Sequence, residues 1–193
     1  MIEIELAQIA AVERIVEVLQ TKLGDVITTR ADAGLVLATP DVDDYHLTGG
    51  YVSEQHVRAP IAVLVYQLGP ARLDRYESGD GTEHRAQREA QIRVQLLFAA
   101  DAFDPIDRIG RDQTQAEYLA HCAGRYVGCV IQAITTYAKN STGVQDVRVI
   151  ADDPEVFEVE GIGLRGQAVV DVEVIQEVQI PTDIRVSAPD SAV

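Results

Sequence analysis

The sequence has no tryptophan, one methionine and two cysteines, and aromatic residues make up only 5% of its 193 residues. A core built from this chain must therefore come mainly from Val, Ile, Leu and Ala. Lysine is almost missing too: Lys22 and Lys139 are the two lysines among the 16 basic residues, against 31 acids, for a net charge of −15. A nucleic-acid grip needs clustered Lys and Arg to replace phosphate counterions, so that balance argues against one. No apolar run approaches the roughly 20 residues of a membrane-spanning helix. Cys122 and Cys129 fall seven residues apart in a stretch read as helix, about two turns or roughly 10 Å, too far for a disulfide. They read as free buried thiols. With no charged-then-apolar leader at Met1, the chain is expected to fold in a reducing cytoplasm.

Hydrophobic residues make up 47% of the sequence, enough for a sizeable core and against disorder. The length fits a single domain over 1–193. Charge is uneven: residues 1–69 hold ten acids and four bases and residues 144–193 eleven acids and three bases, while 70–111 hold eight acids and seven arginines.

Leu6, Ile9, Ile15, Val16, Leu19 and Leu23 recur at helical spacing, which predicts an amphipathic helix over 5–23 with Gly24 as its stop. The β-prone runs 26–30 and 35–38 predict a small hairpin or an interrupted strand, and 39–56, with Pro40, Asp41, Asp43, Asp44 and Gly49–Gly50, an exposed loop. Residues 57–68 and 86–98 read as strands; in the second, Ala90, Ile92, Val94, Leu96 and Phe98 alternate with polar residues. The intervening 69–85, Gly-Pro at its start and Gly-Asp-Gly at its tip, predicts a long projecting hairpin arm, 69–88 with its flanks. Asp112 and Gln115 suggest a capping box for a second helix over about 113–138, with Leu119, Cys122, Ala123, Tyr126, Val130, Ile134 and Tyr137 as its apolar stripe. Strand-like runs follow at 144–150, 155–160 and 166–179, and a polar tail, 181–193, is expected to fray. The order predicts an α+β fold: a mostly antiparallel sheet, two helices on one face, and the arm.

The residues give no cofactor, metal or catalytic constellation. His46, His56, His84 and His121 fall in different elements without a ligand spacing. The run Asp41 to His46 lacks the central Gly and closing Glu of a calcium loop, and Ser53, Ser78 and Ser141 sit in no nucleophile elbow. Gly161, Gly163 and Gly166 form G-x-G-x-x-G, but strand-like sequence follows, so the pattern reads as a hairpin turn rather than a dinucleotide site. A pocket between the sheet and the second helix, near Tyr126 or His121, is the place for a ligand in an alternative reading as a small enzyme or binding domain. Arg72, Arg75, Arg85 and Arg88 flank one loop of an acidic chain. They pair with Asp74, Glu77, Asp80 or Glu83 inside the arm, or they reach an acidic neighbouring copy bidentately.

The first helix, the strand from Pro60 through Ile61-Ala62-Val63-Leu64-Val65, the arm, the strand Ile92-Arg93-Val94-Gln95-Leu96, the second helix and the valine-rich closing hairpin together resemble the tail terminator proteins of long-tailed bacteriophages, over residues 5–180. The resemblance rests on element order and hydrophobic pattern, with no invariant catalytic signature. It implies a non-enzymatic virion protein, assembled in the host cytoplasm. As a hexameric ring it would cap the tail tube, stop its growth and offer a docking surface at the neck. Its partners would be further copies of itself, the tube protein, the sheath protein and a neck or connector protein. DNA would pass through the lumen without specific binding. Within that ring, Arg72, Arg75, Arg85 and Arg88 are expected between subunits, and Asp152, Asp153, Glu155, Glu158, Asp171 and Glu173 along an acidic lumen, where like charge repels the DNA backbone. Another neck ring protein, a head completion or connector protein, fits the same pattern.

Overall fold

The computed structural model describes residues 2–30, 37–77, 84–99, 114–139 and 143–180. Its elements are, in order, β1 (Ile2–Glu3), α1 (Ile4–Thr29), β2 (Tyr45–Leu47), α2 (Glu54–Arg58), β3 (Ile61–Gln67), β4 (Arg72–Glu77), β5 (His84–Ala99), α3 (Gln115–Tyr137), β6 (Val144–Val159) and β7 (Gly163–Ile180). The strands form one sheet of order β1-β7-β5-β3-β2, with β4 added beside β5 and β6 beside β7. The short end strands β1 and β2 pair in parallel, and all other pairings are antiparallel. The fold is α+β, as its sequence predicts.

Alternation along the long strands sorts the two faces. Val63 and Val65, Ile92 to Phe98 at every second position, and Ala168, Val170, Val172 and Val174 turn to one face. There they join Ile15, Leu19 and Leu23 of α1 and Leu119, Tyr126, Val130 and Ile134 of α3 in one buried cluster. On the opposite face Leu64, Tyr66 and Leu97 make a smaller cluster with Val57 of α2. No helix among the described residues is long and apolar enough to cross a membrane.

Several local expectations change. α1 does not stop at Gly24 but runs to Thr29, so the strand expected over 26–30 is helix. Val26 and Ile27 continue the buried stripe, and Thr28 and Thr29 turn their hydroxyls onto the carbonyls of Gly24 and Asp25 at 2.9 and 2.7 Å. Packing thus outweighs the roughly 1 kcal/mol penalty of a helical glycine. At Gly24 a Cβ would sit 3.0 Å from Thr39, so the absent side chain lets the following segment close over the helix. Leu37 and Ala38 carry no strand, and 31–36 lie outside the described residues. The segment 39–56 is not all loop: it holds a 3-10 turn at Val42–Asp44, β2, and the start of α2. The cap of α3 is Thr114, whose hydroxyl accepts from Glu117 N–H at 3.3 Å while Glu117 accepts from Thr114 N–H at 2.8 Å. That pair, rather than Asp112 and Gln115, is the capping box. The tail from 181 lies outside the described residues.

The two runs expected at 144–150 and 155–160 are one strand. β6 passes through Pro154 with register shifts near Val144 and Val149. It lies at the edge of the sheet, where a proline costs no ladder hydrogen bond. The β6–β7 turn has Gly161 at φ 74° and Gly163 at φ 98°, which confirms a hairpin turn for the glycine pattern.

Candidate functional site

The hairpin of β4 and β5 forms with Arg72 opposite Glu89 and Glu77 opposite His84. It is broader than a two-stranded arm, because β7 pairs the other edge of β5 along the same stretch, from Glu89↔Ile175 to His84↔Ile180. Its tip, residues 78–83, lies outside the described residues, as does Gly-Asp-Gly with it.

Four arginines were expected on this arm's surface, and the structure separates them. Arg72 is exposed and meets Asp74 at 3.4 Å, also exposed, an ion pair of little energetic weight. Arg88 is buried, at 5% exposure. Its Nη1 donates to Gln176 Oε1 at 2.6 Å and its Nη2 to Gln67 Oε1 at 2.8 Å. Arg88 is therefore corrected from an inter-subunit residue to an interior one: even-numbered positions of β5 turn under α1, and position 88 follows Ala90 and Ile92. The backbone of Arg75 and Arg85 is paired, register Arg75↔Ala86 and Tyr76↔Arg85.

The carboxylates expected along a lumen also divide. Asp152, Asp153, Glu155 and Glu158 are exposed on β6. Glu155 accepts from Gln167 at 3.5 Å, the outer end of a chain of contacts through Gln167–Gln95 at 2.9 Å and Gln95–Tyr66 at 3.3 Å across four strands. Glu173 is half-buried and lies 3.8 Å from Arg148. Asp171 is buried, and both its oxygens are taken by Arg93, Nε to Oδ1 at 2.7 Å and Nη2 to Oδ2 at 2.8 Å. It is corrected from lumen to ion pair. The two residues sit opposite each other on β5 and β7, so register alone closes the bidentate fork. The hydrogen bond to Asp171 holds the Arg93 guanidinium above its ordinary pKa range. Changing Asp171 to Ala is expected to cost about 2 kcal/mol, below the 3–5 of a fully buried broken pair because Arg93 keeps partial solvent access. Urea titration checks it.

The remaining candidates are structural. His46 and His56, ten residues apart and in different elements, bring their rings to 4.7 Å between centroids. His56 Nδ1 accepts from Ser53 N–H at 3.2 Å, capping α2. Burial, then the neighbouring His46, pushes the His56 pKa below its ordinary 6.5. The folded state therefore binds this proton less readily than the unfolded chain, so stability falls as pH drops from neutral through about 6.5. Thermal melts of wild type and His56→Gln between pH 8 and 5 should diverge in that window. Asp41, Asp43 and Asp44 make a local turn, with Asp41 N–H on Asp44 Oδ2 at 2.7 Å. His121 is exposed, while Tyr126 is fully buried and donates to Ala38 O at 2.7 Å. The site expected for a ligand near Tyr126 is thus packed core. Cys122 and Cys129 are free and buried, and burial raises the Cys122 thiol to about 11, which leaves it unreactive at neutral pH.

What stands open is a pair of unlike sheet edges. On one side, β4 presents Arg72 beside β5; on the other, β6 presents its carboxylates beside β7. The mixed-charge, proline-bearing β6 also blunts indiscriminate strand pairing.

No family model matches the chain, and no curated protein matches it either. The chain is similar to one chain of a solved structure described as the virion of a native gene transfer agent (GTA) particle. Identity there is 18%, the match covers 84% of this chain and 97% of that chain, and the TM-score is 0.31. An overlap of that size establishes neither a shared fold nor a shared function.

Proposed function

We propose that this protein is a ring-forming structural component of a phage-like tail, a tail terminator that caps the tube, stops its elongation and offers a docking surface at the neck. One observation carries the reading: an arginine-bearing edge and a carboxylate-bearing edge lie on opposite sides of a single sheet. A head-to-tail ring needs two different, mutually complementary surfaces on each copy, in contrast to the self-complementary patch of a two-fold dimer. Opposite charges on opposite edges supply that polarity and steer the encounter.

In this reading Arg72, Arg75 and Arg85 face the next subunit. Of the β6 carboxylates, some meet those arginines. The rest, with Glu173, give the lumen a negative lining along which DNA slides without adhering. The tube protein, the sheath protein and a neck protein are the axial partners. Electron microscopy of a lysate lacking the gene tests the role: overlong or ragged tails are expected. Normal-length free tails beside filled heads would instead assign the protein to the neck as a connector.

A further inference from the structure

Arg88 is a buried guanidinium whose three partners are all neutral: Gln176 Oε1, Gln67 Oε1 and, at 3.5 Å, the carbonyl of Ala7. Beside it Gln176 is fully buried, and its Nε2 has no hydrogen-bond partner. A cation removed from water normally finds a carboxylate, because neutral acceptors offset only part of the desolvation. Here none is supplied among the described residues.

The cluster lies behind one end of a groove of about 200 Å³ between α1 and the β2–β3 edge, walled by Ile9, Val12, Leu47 and Val65. Ile9 and Leu47 are both 57% exposed, unusual for large aliphatics facing one hollow. Gln67 belongs both to the groove lining and to the Arg88 cluster. Its Nε2 donates to Gly69 O at 2.7 Å while its Oε1 accepts from Arg88 at 2.8 Å, so the Gln67 side chain stands between the groove and the guanidinium. Glu13, also in the lining, is six residues further along α1 than Ala7, roughly 9 Å, so the groove is negative at one end and backed by a cation at the other. β2 covers the outer edge of β3 only from Val63 to Val65, and beyond it Gln67, whose backbone turns to that edge, has no β2 partner.

We propose that this groove binds an extended, apolar peptide segment of a partner protein carrying one carboxylate, which displaces the Gln67 side chain and pairs with Arg88. Apolar residues fill the space between Ile9 and Leu47, the segment extends the sheet beside Gln67, and the carboxylate supplies the missing counter-charge. The inference stands apart from the ring, since it concerns neither the β4 nor the β6 edge.

Peptides selected from a random display library against the full chain, then synthesised and measured by fluorescence anisotropy, test it. The selected sequences should share an Asp or Glu among aliphatic residues, and amidating that acid to Asn or Gln should weaken binding at least tenfold. Gln67→Glu is the informative variant, because it places a carboxylate on Arg88 in cis. It should fold, melt higher than wild type, and lose peptide binding at least tenfold; Leu47→Asp should lose binding as well. Selection of no peptide, of peptides without an acid, or binding indifferent to Gln67→Glu would overturn the proposal. So would a change of oligomeric state in Leu47→Asp without peptide binding, which would assign the groove to a second copy.

Discussion

Reversing two charges on the β4 edge, Arg72→Glu with Arg75→Glu, should abolish self-assembly while leaving the subunit folded. Arg72 is exposed and its contact with Asp74 is an exposed pair at 3.4 Å, so its loss costs the fold well under about 1 kcal/mol. At an interface the same change turns attraction into repulsion against the carboxylates of β6, and like charges brought together there cost several kcal/mol, or more than about a hundredfold in affinity. The two effects separate: circular dichroism should match wild type and the melting midpoint should fall only slightly, from the new carboxylate opposite Glu89, while sedimentation should show subunits alone. Complementary reversal of Asp152 and Asp153 to Arg should restore part of the assembly. Normal tails built by the double variant would remove the β4 edge from the interface.

The largest expected loss of stability comes from Gly166→Ala. Gly166 is buried on β7 directly opposite Phe98 of β5, and a Cβ there would overlap the Phe98 ring. The ring has no free direction to retreat: it is fully buried and lies 4.9 Å from the Tyr126 ring, itself tied to Ala38. Overpacking at such a point costs about 3 kcal/mol, or roughly 6–12 °C in melting midpoint for a chain of this size. Phe98→Leu in the Gly166→Ala background should recover part of that loss, since it removes the clashing ring edge. An unchanged midpoint in Gly166→Ala would show that the ring is not held where the structure places it.

Much of the fold is readable from the sequence because it rests on periodicity. The alternation from Ala90 to Phe98 and from Ala168 to Val174 identifies two central strands, and the stripe from Leu119 to Ile134 identifies the helix above them. Punctuation is less reliable. Gly24 reads as a stop but sits inside α1, where Val26 and Ile27 gain more from burial than the glycine loses. Gly166 belongs to the glycine pattern that reads as a turn, yet on β7 it makes room for the Phe98 ring directly opposite on β5.

The candidate site is legible only in part, since charged residues declare a surface by composition but not by register. Arg88 belongs to an arginine-rich arm, and its even position on β5 carries it under α1. Asp171 belongs to an acidic segment, and antiparallel pairing puts it opposite Arg93. In both cases parity along the strand held the signal: Arg88 shares it with Ala90 and Ile92, and Arg93 shares it with Gln95 on the opposite face. The contact of His46 with His56 has no sequence signal, because it depends on β2 joining β3 in parallel across an apparent loop.

In the proposed ring, copies of this chain close head to tail through unlike edges. Native mass spectrometry of the purified protein across a salt series tests it most directly. The expected result is a single closed oligomer with no even-numbered ladder below it, shifting to free subunits as salt screens the edges. A protein that stays monomeric at low salt and high concentration, or that stops at a two-fold dimer, would contradict it.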